Sequence, residues 1–369
     1  MSIGDRLQYA RQRAALTGSQ VSESTGIGTS SLSDFENDKR SPSVSQLQKL
    51  AEVYRRSVGF FLEEGLLPRE VILWRKRPDE EAPSVEMQFL KLCEQYRRLE
   101  MWCDEVIPPC LPEGTGNAAC YTYVDAEALA KQVRDQLELG DRPGLSLLTV
   151  LEEVCGVKVF HLDFKPTGTA ASTWSDTFGA AVLLNKGNVR WRRNFNLAHE
   201  LFHLLTWRVF SRAQEAGATS ACVSGKEEQF ATCFARNLLM PADVVKKAFA
   251  DKRKDGKLSF EAVFDIARQF DVSVETLLRH LSFLGIVDRG MVDNVVDRAR
   301  LLAPMLEDRQ STEPPTRPER YKALAMKALR HGSISLGRFA EYLEISRHEA
   351  MKYVEQEVTD DEEVPVTPS

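Results

Sequence analysis

The chain has 369 residues, of which 43% are hydrophobic and 28% are charged, a composition typical of two or three globular domains with apolar cores. The 48 Lys and Arg against 54 Asp and Glu give a net charge of −6, which excludes a polybasic protein that wraps nucleic acid through a global field. No apolar run approaches the roughly 18 residues of a membrane span, and the N-terminus lacks the pattern of a secretory signal, so we expect a cytoplasmic protein without membrane contact.

The seven cysteines stand at scattered positions, and no two of them form a Cys-x-x-Cys pair. An odd number without paired spacing argues against a disulfide framework and against a four-thiolate zinc site. We expect buried or idle thiols; the loosely spaced group Cys103, Cys110 and Cys120 is the alternative metal candidate.

Residues 1–67 predict a bundle of short helices, because apolar side chains recur there at helical spacing between glycine-containing turns. Within the bundle, residues 19–25 have the pattern of the first helix of a helix-turn-helix, residues 26–28 that of the turn, and residues 29–36 that of the recognition helix. Its outward positions, which would face base edges in a major groove, are Thr29, Ser30, Ser31, Ser33 and Asp34, and Asn37, Lys39 and Arg40 would contact phosphates.

This segment resembles the lambda-repressor-like, or XRE, helix-turn-helix family. The matching residues are Arg11, Ser19, Gln20, Gly26, Ile27, Leu32, Phe35, Glu36, Asn37, Lys39, Arg40, Pro42 and Ser43. The resemblance implies that Gln20 contacts the DNA backbone and that the recognition helix reads double-stranded operator DNA. The module is neutral, with 8 Lys and Arg against 8 Asp and Glu, so we expect a homodimer on a palindromic site. The alternative is a bundle that contacts only protein.

Residues 68–125 predict a helical linker or arm, with a helix at about 84–105 and an irregular, proline-rich stretch at 107–116. Residues 126–290 predict a mixed domain in which a few strands accompany long helices. The expected strands are 157–160 and 180–184, and the expected helices are 125–138, 145–155, 191–207, 226–239, 259–269 and 273–284. The fold class that follows is α+β and mostly helical.

Residues 291–369 predict a helical C-terminal region, interrupted by the proline-rich stretch 312–318 and ending in an acidic tail that we expect to be disordered. Residues 334–346 have the shape of a second helix-turn-helix. Because they lack a basic flank, we expect them to form a packing or dimer element rather than a second DNA reader.

The strongest chemical motif is His199-Glu200-Leu201-Phe202-His203. On a helix, positions i and i+4 lie on one face, so both imidazoles can bind one zinc ion. Glu200 lies beside them and can take a proton from water. The alternative is a pair of core or surface histidines without a metal.

A catalytic zinc needs a third protein ligand and an open position for water. The next predicted helix begins with Glu227 and Glu228. Adjacent residues point about 100° apart on a helix, so only one of them can face the metal. The residues alone leave open which one does, and a solvated acidic pair at a helix start remains the alternative for either.

Residues 192–205 and 228–241, together with the strand at 179–185 and the helices near 272–285, resemble the ImmA/IrrE metallopeptidases. The resemblance covers about 150–290 and implies a minimal gluzincin-like fold with one zinc ion per chain. It implies His199, His203 and Glu228 as metal ligands and Glu200 as the catalytic base.

Two positions depart from the family, which usually has Gly in place of Phe202 and Asn or Asp in place of Thr232. Neither is a proposed ligand, but a phenylalanine at position 202 could narrow the site. The resemblance also implies that the strand at 180–184 lies beside the metal, where an extended substrate could pair with it as an added strand.

Arg190, Trp191, Arg192 and Arg193 stand just before the paired histidines. Cations interleaved with an aromatic ring are the chemistry of a platform for single-stranded nucleic acid, so single-stranded DNA is a candidate activator. The alternative is a salt-bridged helix start.

These features predict a regulator that binds an operator at the nucleoid and carries a zinc endopeptidase. Its substrate would be a partner protein, such as a repressor or an antitoxin, or its own chain, cleaved in response to stress. Two alternatives remain: a non-proteolytic transcription factor whose zinc fold is a sensing module, and the antitoxin half of a toxin pair.

Overall fold

The computed structural model describes residues 2–62, 71–78, 81–108, 110–210, 220–222, 225–253, 258–290, 292–293, 295–298 and 313–360. In these ranges an N-terminal helical bundle precedes a five-stranded mixed sheet with helices on both faces, which confirms an α+β fold that is mostly helical. None of the helices in these ranges combines the length and the apolar composition that a membrane span requires.

The N-terminal bundle has five helices: α1 (Ile3–Arg13), α2 (Gly18–Thr25), α3 (Thr29–Glu36), α4 (Val44–Val53) and α5 (Val58–Leu62). Local side chains set where they begin. The Thr17 hydroxyl accepts from the backbone of Gln20, whose side chain accepts from the Thr17 N–H at 2.8 Å, a reciprocal cap. Gly26 ends α2 with a φ of 72°, a left-handed conformation that suits glycine and turns the chain into α3.

The sheet contains β1 (Val71–Trp74), β2 (Lys158–Leu162), β3 (Ala170–Ser175), β4 (Gly179–Asn185) and β5 (Ser220–Cys222), in the order β2-β4-β3-β1-β5. Strand β4 is parallel to β2 and antiparallel to β3, and β1 is antiparallel to β3 and parallel to β5. Both sides of β4 are therefore hydrogen-bonded. The expectation that a substrate pairs with the strand at 180–184 is wrong, because that strand has no open edge.

One face of the sheet is covered by the helices that lie between the proline-rich stretches 107–116 and 312–318. They are α7 (Tyr123–Gln136), α8 (Pro143–Thr149), α9 (Arg190–Leu205), α10 (Trp207–Phe210), α11 (Gly225–Leu239), α12 (Ala242–Lys252), α13 (Phe260–Gln269) and α14 (Val274–Phe283). Apolar side chains of these helices share one core with the adjoining sides of β2 and β4. The proline-rich stretch crosses the end of α9, where the Gly114 N–H donates to the Leu205 carbonyl at 2.8 Å.

The other face is covered by α6 (Ala82–Trp102) and by the C-terminal helices α15 (Glu319–Arg330), α16 (Leu336–Leu343) and α17 (Arg347–Asp360). Their core includes Ile72, Trp74, Phe89, Phe160, Tyr321 and Phe339.

The segment predicted as a linker, residues 68–125, thus supplies one strand, β1, and one long helix, α6, to the sheet layers. Residues 334–346 pack in this core, as expected of a packing element, and the tail beyond residue 360 lies outside the described residues.

The N-terminal bundle contacts α6. Met87 of α6 belongs to the bundle's core, and Arg56, which is buried, forms an ion pair with Glu94. Arg98 donates to the Ser57 hydroxyl at 2.6 Å. The opposite side of α6 packs on the sheet, so α6 contacts both the N-terminal bundle and the sheet.

A buried carboxylate joins three distant segments. Glu100 of α6 lies 3.1 Å from Lys158 Nζ on β2 and 2.9 Å from Arg320 Nη1 on α15. Its side chain and that of Lys158 are 2% and 3% exposed. Because burial opposes the charged form, Glu100 and Lys158 each need the opposite charge of the other to stay ionised inside the protein.

Replacing Glu100 with Ala should lower the free energy of unfolding by about 3–5 kcal/mol, because Lys158 would stay buried without its counter-charge. Urea denaturation monitored by tryptophan fluorescence measures the change. The control is Asp265→Ala, which breaks an exposed ion pair with Lys252 and should cost less than about 1 kcal/mol. Equal losses in the two variants would contradict the role of Glu100.

Candidate metal centre

Helix α9 places the predicted motif on its buried face. His199 and Glu200 are fully buried and His203 is 1% exposed. The two histidines are one turn apart, and their ring centroids are separated by 5.2 Å. Apolar residues of α9 anchor the helix in the core on either side of the motif in sequence.

Helix α11 runs beside α9 and brings Glu228 to both histidines. Glu228 Oε2 lies 3.0 Å from His199 Nε2, and Glu228 Oε1 lies 3.4 Å from His203 Nε2. One potential ligand atom from each of the three residues lies within 4.8 Å of the others. The structure thus brings together the three side chains predicted as metal ligands.

Glu227 occupies a different position from Glu228. Its Oε1 lies 3.0 Å from His203 Nδ1, the ring nitrogen opposite the one that faces Glu228. Adjacent positions on α11 therefore present one carboxylate to the centre and the other to the back of an imidazole. A carboxylate behind a metal-binding histidine fixes its ring and tautomer, so this geometry favours Glu228 as the third ligand and Glu227 as its support.

The centre fits a zinc ion in the chemistry of its donors. His203 Nε2, Glu228 Oε1 and Glu200 Oε1 are buried and have no hydrogen-bond partner among the described residues. Buried polar atoms are normally satisfied within a folded protein. Two imidazoles and one carboxylate, with a fourth position left open, are the donor set of catalytic zinc.

The charges of the cluster are mutually dependent. Burial raises the pKa of Glu200 to about 7, although His203 and Ser172 oppose the shift. Burial alone would lower the pKa of His203, but its close contacts with the carboxylates of Glu227 and Glu228 raise that pKa to about 10. Burial lowers the pKa of His199 to about 4. A metal ion that binds here therefore competes with a proton on His203.

Ser172 is a functional neighbour that sequence reasoning missed. Its hydroxyl donates to Glu200 Oε2 at 2.7 Å from the middle of β3. This contact orients Glu200 and leaves its second oxygen, Oε1, without a hydrogen-bond partner among the described residues. No spacing or motif relates positions 172 and 200, because the contact exists only once β3 lies against α9.

Arg75 and Asn196 complete the surroundings and were also missed. Asn196 is 1% exposed and precedes His199 by one turn of α9. Arg75, just after β1, donates from Nη1 to Asn196 Oδ1 at 3.2 Å. Its Nε lies 3.8 Å from Glu228 Oε2. A cation from the segment predicted as a linker therefore reaches the metal centre.

Phe202, one of the two departures from the family pattern, packs in the core and also contacts a predicted ligand, with its ring centroid 5.7 Å from that of His203. It is fully buried, with ring centroids 5.9 Å from Tyr121 and 5.6 Å from Phe234. The ring lies in the core between α9 and α11 beside His203, and its expected narrowing of the site stays a prediction.

The four residues at the start of α9 do not form one exposed platform. Arg193 is buried and donates to the Asn188 carbonyl, so the prediction that it contacts single-stranded nucleic acid is wrong. Arg190 pairs with Asp271 at 2.8 Å, as in the salt-bridged alternative. Arg192 is exposed and Trp191 is half-buried, which leaves these two side chains accessible.

Helix α3, the predicted recognition helix, has the exposure that DNA reading would require. Leu32 and Phe35 face the bundle core. Its outward side chains Thr29, Ser30 and Ser33 are exposed and Ser31 and Asp34 are half-buried, while Gln20, Asn37, Lys39 and Arg40 are exposed around it. The Asn37 side chain also donates to the Ser33 carbonyl at 2.7 Å and so helps to end the helix.

Comparison with known proteins supports both parts. Residues 152–282 match the family model of the IrrE N-terminal-like domain, peptidase family M78, and residues 7–61 match a helix-turn-helix model. The HTH-type transcriptional regulator ImmR of Bacillus subtilis (strain 168) is 40% identical over 62 residues, 17% of this chain and 49% of ImmR. The HTH-type transcriptional regulator PuuR of Escherichia coli (strain K12) is 40% identical over 70 residues, 19% of this chain and 38% of PuuR.

The chain thus spans about half the length, or less, of the curated relatives it matches. A crystal structure of Bacillus thuringiensis PlcR in complex with the peptide PapR7 and DNA aligns over 98% of both chains, with 12% identity and a TM-score of 0.17, too low to support a structural argument. The family matches, together with the observed geometry, indicate two parts: residues 7–61 are similar to helix-turn-helix domains of the XRE type, and residues 152–282 are similar to the IrrE N-terminal-like domain of peptidase family M78.

Proposed function

We propose that the protein is a DNA-binding transcriptional regulator whose IrrE-like domain is a zinc endopeptidase. It cleaves a partner protein, such as a repressor or an antitoxin, or its own chain, in response to stress. The observation that carries the proposal is the buried cluster of His199, Glu200, His203 and Glu228, which leaves atoms suited to a metal and to water without protein partners.

In this proposal His199, His203 and Glu228 hold one zinc ion per chain. When bound, zinc supplies Lewis-acid activation of a water molecule and of a peptide carbonyl. Glu200 takes the proton from the water with its unpaired Oε1 and passes it to the leaving amine, while Ser172 holds Oε2.

The N-terminal bundle would bind double-stranded operator DNA with α3 in the major groove, which locates the protein at the nucleoid in the cytoplasm. Its short hydroxyl side chains and neutral charge favour a homodimer, in which two weak half-site contacts add. Exposed Lys39 and Arg40 lie where phosphate contacts would be made.

A non-proteolytic regulator is the second candidate, and one observation favours it. Strand β1 is paired along β3, so the strand nearest Glu200 has no edge to offer to a substrate. Under this alternative the metal centre senses zinc or a ligand, and regulation comes from DNA occupancy alone.

Glu200→Gln should retain zinc but lose cleavage by a factor of about 10²–10⁴, the usual contribution of a general base. The ligands are unchanged in this variant, whereas His199→Ala should lose both zinc and cleavage. Metal analysis of the purified proteins, followed by mass spectrometry after incubation with proteins encoded beside this gene, measures both properties with and without single-stranded DNA.

Two outcomes of that experiment would count against the proposal. Cleavage by Glu200→Gln at the wild-type rate would show that another group is the base. Stoichiometric zinc in the wild-type protein without cleavage of any neighbour or of itself would favour the non-proteolytic regulator.

Removing zinc with a chelator should lower the melting temperature of the wild-type protein, because a bound metal at 100 times its Kd stabilises the folded state by about 2.7 kcal/mol. Differential scanning calorimetry with and without EDTA measures the shift. His203→Ala, which lacks a ligand, is the control and should melt at one temperature in both conditions. A chelator effect of equal size in this variant would place the metal elsewhere.

Lys39→Ala should weaken binding to every DNA sequence and reduce the slope of log K against log salt concentration by about 1, the contribution of one phosphate contact. Ser33→Ala should instead relax base preference at one operator position without changing that slope. Fluorescence anisotropy on an operator selected from random duplexes measures both effects. Lys131→Ala, at an exposed position of α7, is the control, and a slope change there as large as for Lys39 would refute the assigned DNA face.

A further inference from the structure

The sheet limits how a peptide can lie across the metal centre. Leu73 of β1 is the register partner of Ser172 on β3, the residue that contacts Glu200. Strand β3 is therefore covered on one side by β1 and on the other by β4. A peptide cannot extend the sheet next to Glu200, so its backbone groups must find side-chain partners instead.

Asn196 offers a donor that lies in the right place. It precedes His199 by three positions and His203 by seven, so the three side chains share one face of α9. Its amide nitrogen, Nδ2, is buried and has no hydrogen-bond partner among the described residues. A buried amide without a partner is unfavourable unless a ligand accepts the hydrogen bond.

Arg75 determines which way this amide points. Its Nη1 lies 3.2 Å from the side-chain amide of Asn196. Arginine only donates hydrogen bonds, so the atom that faces it must be the oxygen, Oδ1. The nitrogen must then point away from Arg75, which itself also contacts the carboxylate of Glu228. The side-chain amide of Asn196 is thus fixed beside the metal ligands, and its N–H donor has no partner among the described residues.

We infer that Asn196 and Arg75 form a peptide-binding pair at the metal centre. Asn196 Nδ2 donates to a backbone carbonyl oxygen of the bound peptide, and Arg75 is the positioning residue that holds Oδ1. The inference rests on the proposed peptidase function and adds a substrate class: extended peptides, recognised through the backbone. Arg75 lies outside residues 152–282, which match the peptidase family, so the pair exists only in a chain that carries β1.

Two zinc-directed probes test the inference on the zinc-loaded full-length protein. Acetohydroxamate lacks a peptide backbone, and acetyl-Ala-Ala-hydroxamate adds one with minimal side chains. Isothermal titration calorimetry gives the ratio of their affinities, which should favour the peptide probe in the wild type. Asn196→Asp keeps the shape and the oxygen that Arg75 contacts but removes the donor, and it should reduce the ratio about five- to tenfold.

Variants of Arg75 separate positioning from a merely structural role. Arg75→Ala should reduce the ratio as Asn196→Asp does, whereas Arg75→Lys, which can still donate to Oδ1, should restore most of it. Asn194→Ala is the matched control on the same helix, because the Asn194 amide donates to the Gly144 carbonyl inside the protein. Its ratio should equal that of the wild type.

The outcomes separate this inference from the proposed function. An unchanged ratio in both Asn196→Asp and Arg75→Ala would overturn the inference and leave the zinc site intact. So would a zinc-loaded wild type that binds the two probes equally. Absence of stoichiometric zinc in the wild type would remove the proposed function and the inference with it.

Discussion

The pairing of two buried imidazoles with two adjacent carboxylates is the constraint on which the metal centre depends. Burial of a charged group is costly unless an opposite charge or a hydrogen bond compensates it. Glu228 faces both His199 and His203, and Glu227 supports His203 from behind. This compensation requires that α9 and α11 keep their relative position, because a shift of either helix would separate the carboxylates from the imidazoles. The packing of the two helices is therefore a condition for the chemistry of the centre.

The part of this arrangement that could be predicted from sequence is the part that is local. His199 and His203 are four positions apart, and the caps of the N-terminal helices join residues three positions apart, so spacing alone carries the geometry. The residue pattern predicted both helices of the centre, but it did not decide whether Glu227 or Glu228 faces the metal. Choosing between them required knowing which side of α11 faces α9.

What sequence reasoning missed is non-local. The four apolar residues of β1 fit a strand or a buried helix equally well, and the small residues of β3 gave no strand signal. Ser172 meets Glu200 across 28 positions, and Arg75 meets Asn196 across 121. Such contacts follow from the order of strands in the sheet, which no periodicity in the chain encodes. Arg193 is the exception, because its partner is local: the Asn188 carbonyl lies five positions earlier, in the turn before α9.

Strand β1 also bears on where the domain boundaries of this protein lie. The family match begins at residue 152, yet the sheet inside it is paired with β1, covered by α6 and braced through Glu100. A fragment cut to the matched region would bare one side of β3 and an apolar sheet face, the two surfaces that make chains associate. Residue 152, where the family match begins, is therefore not a structural boundary: β1 and α6 precede it but belong to the sheet layers, and recombination at that point would separate the sheet from both.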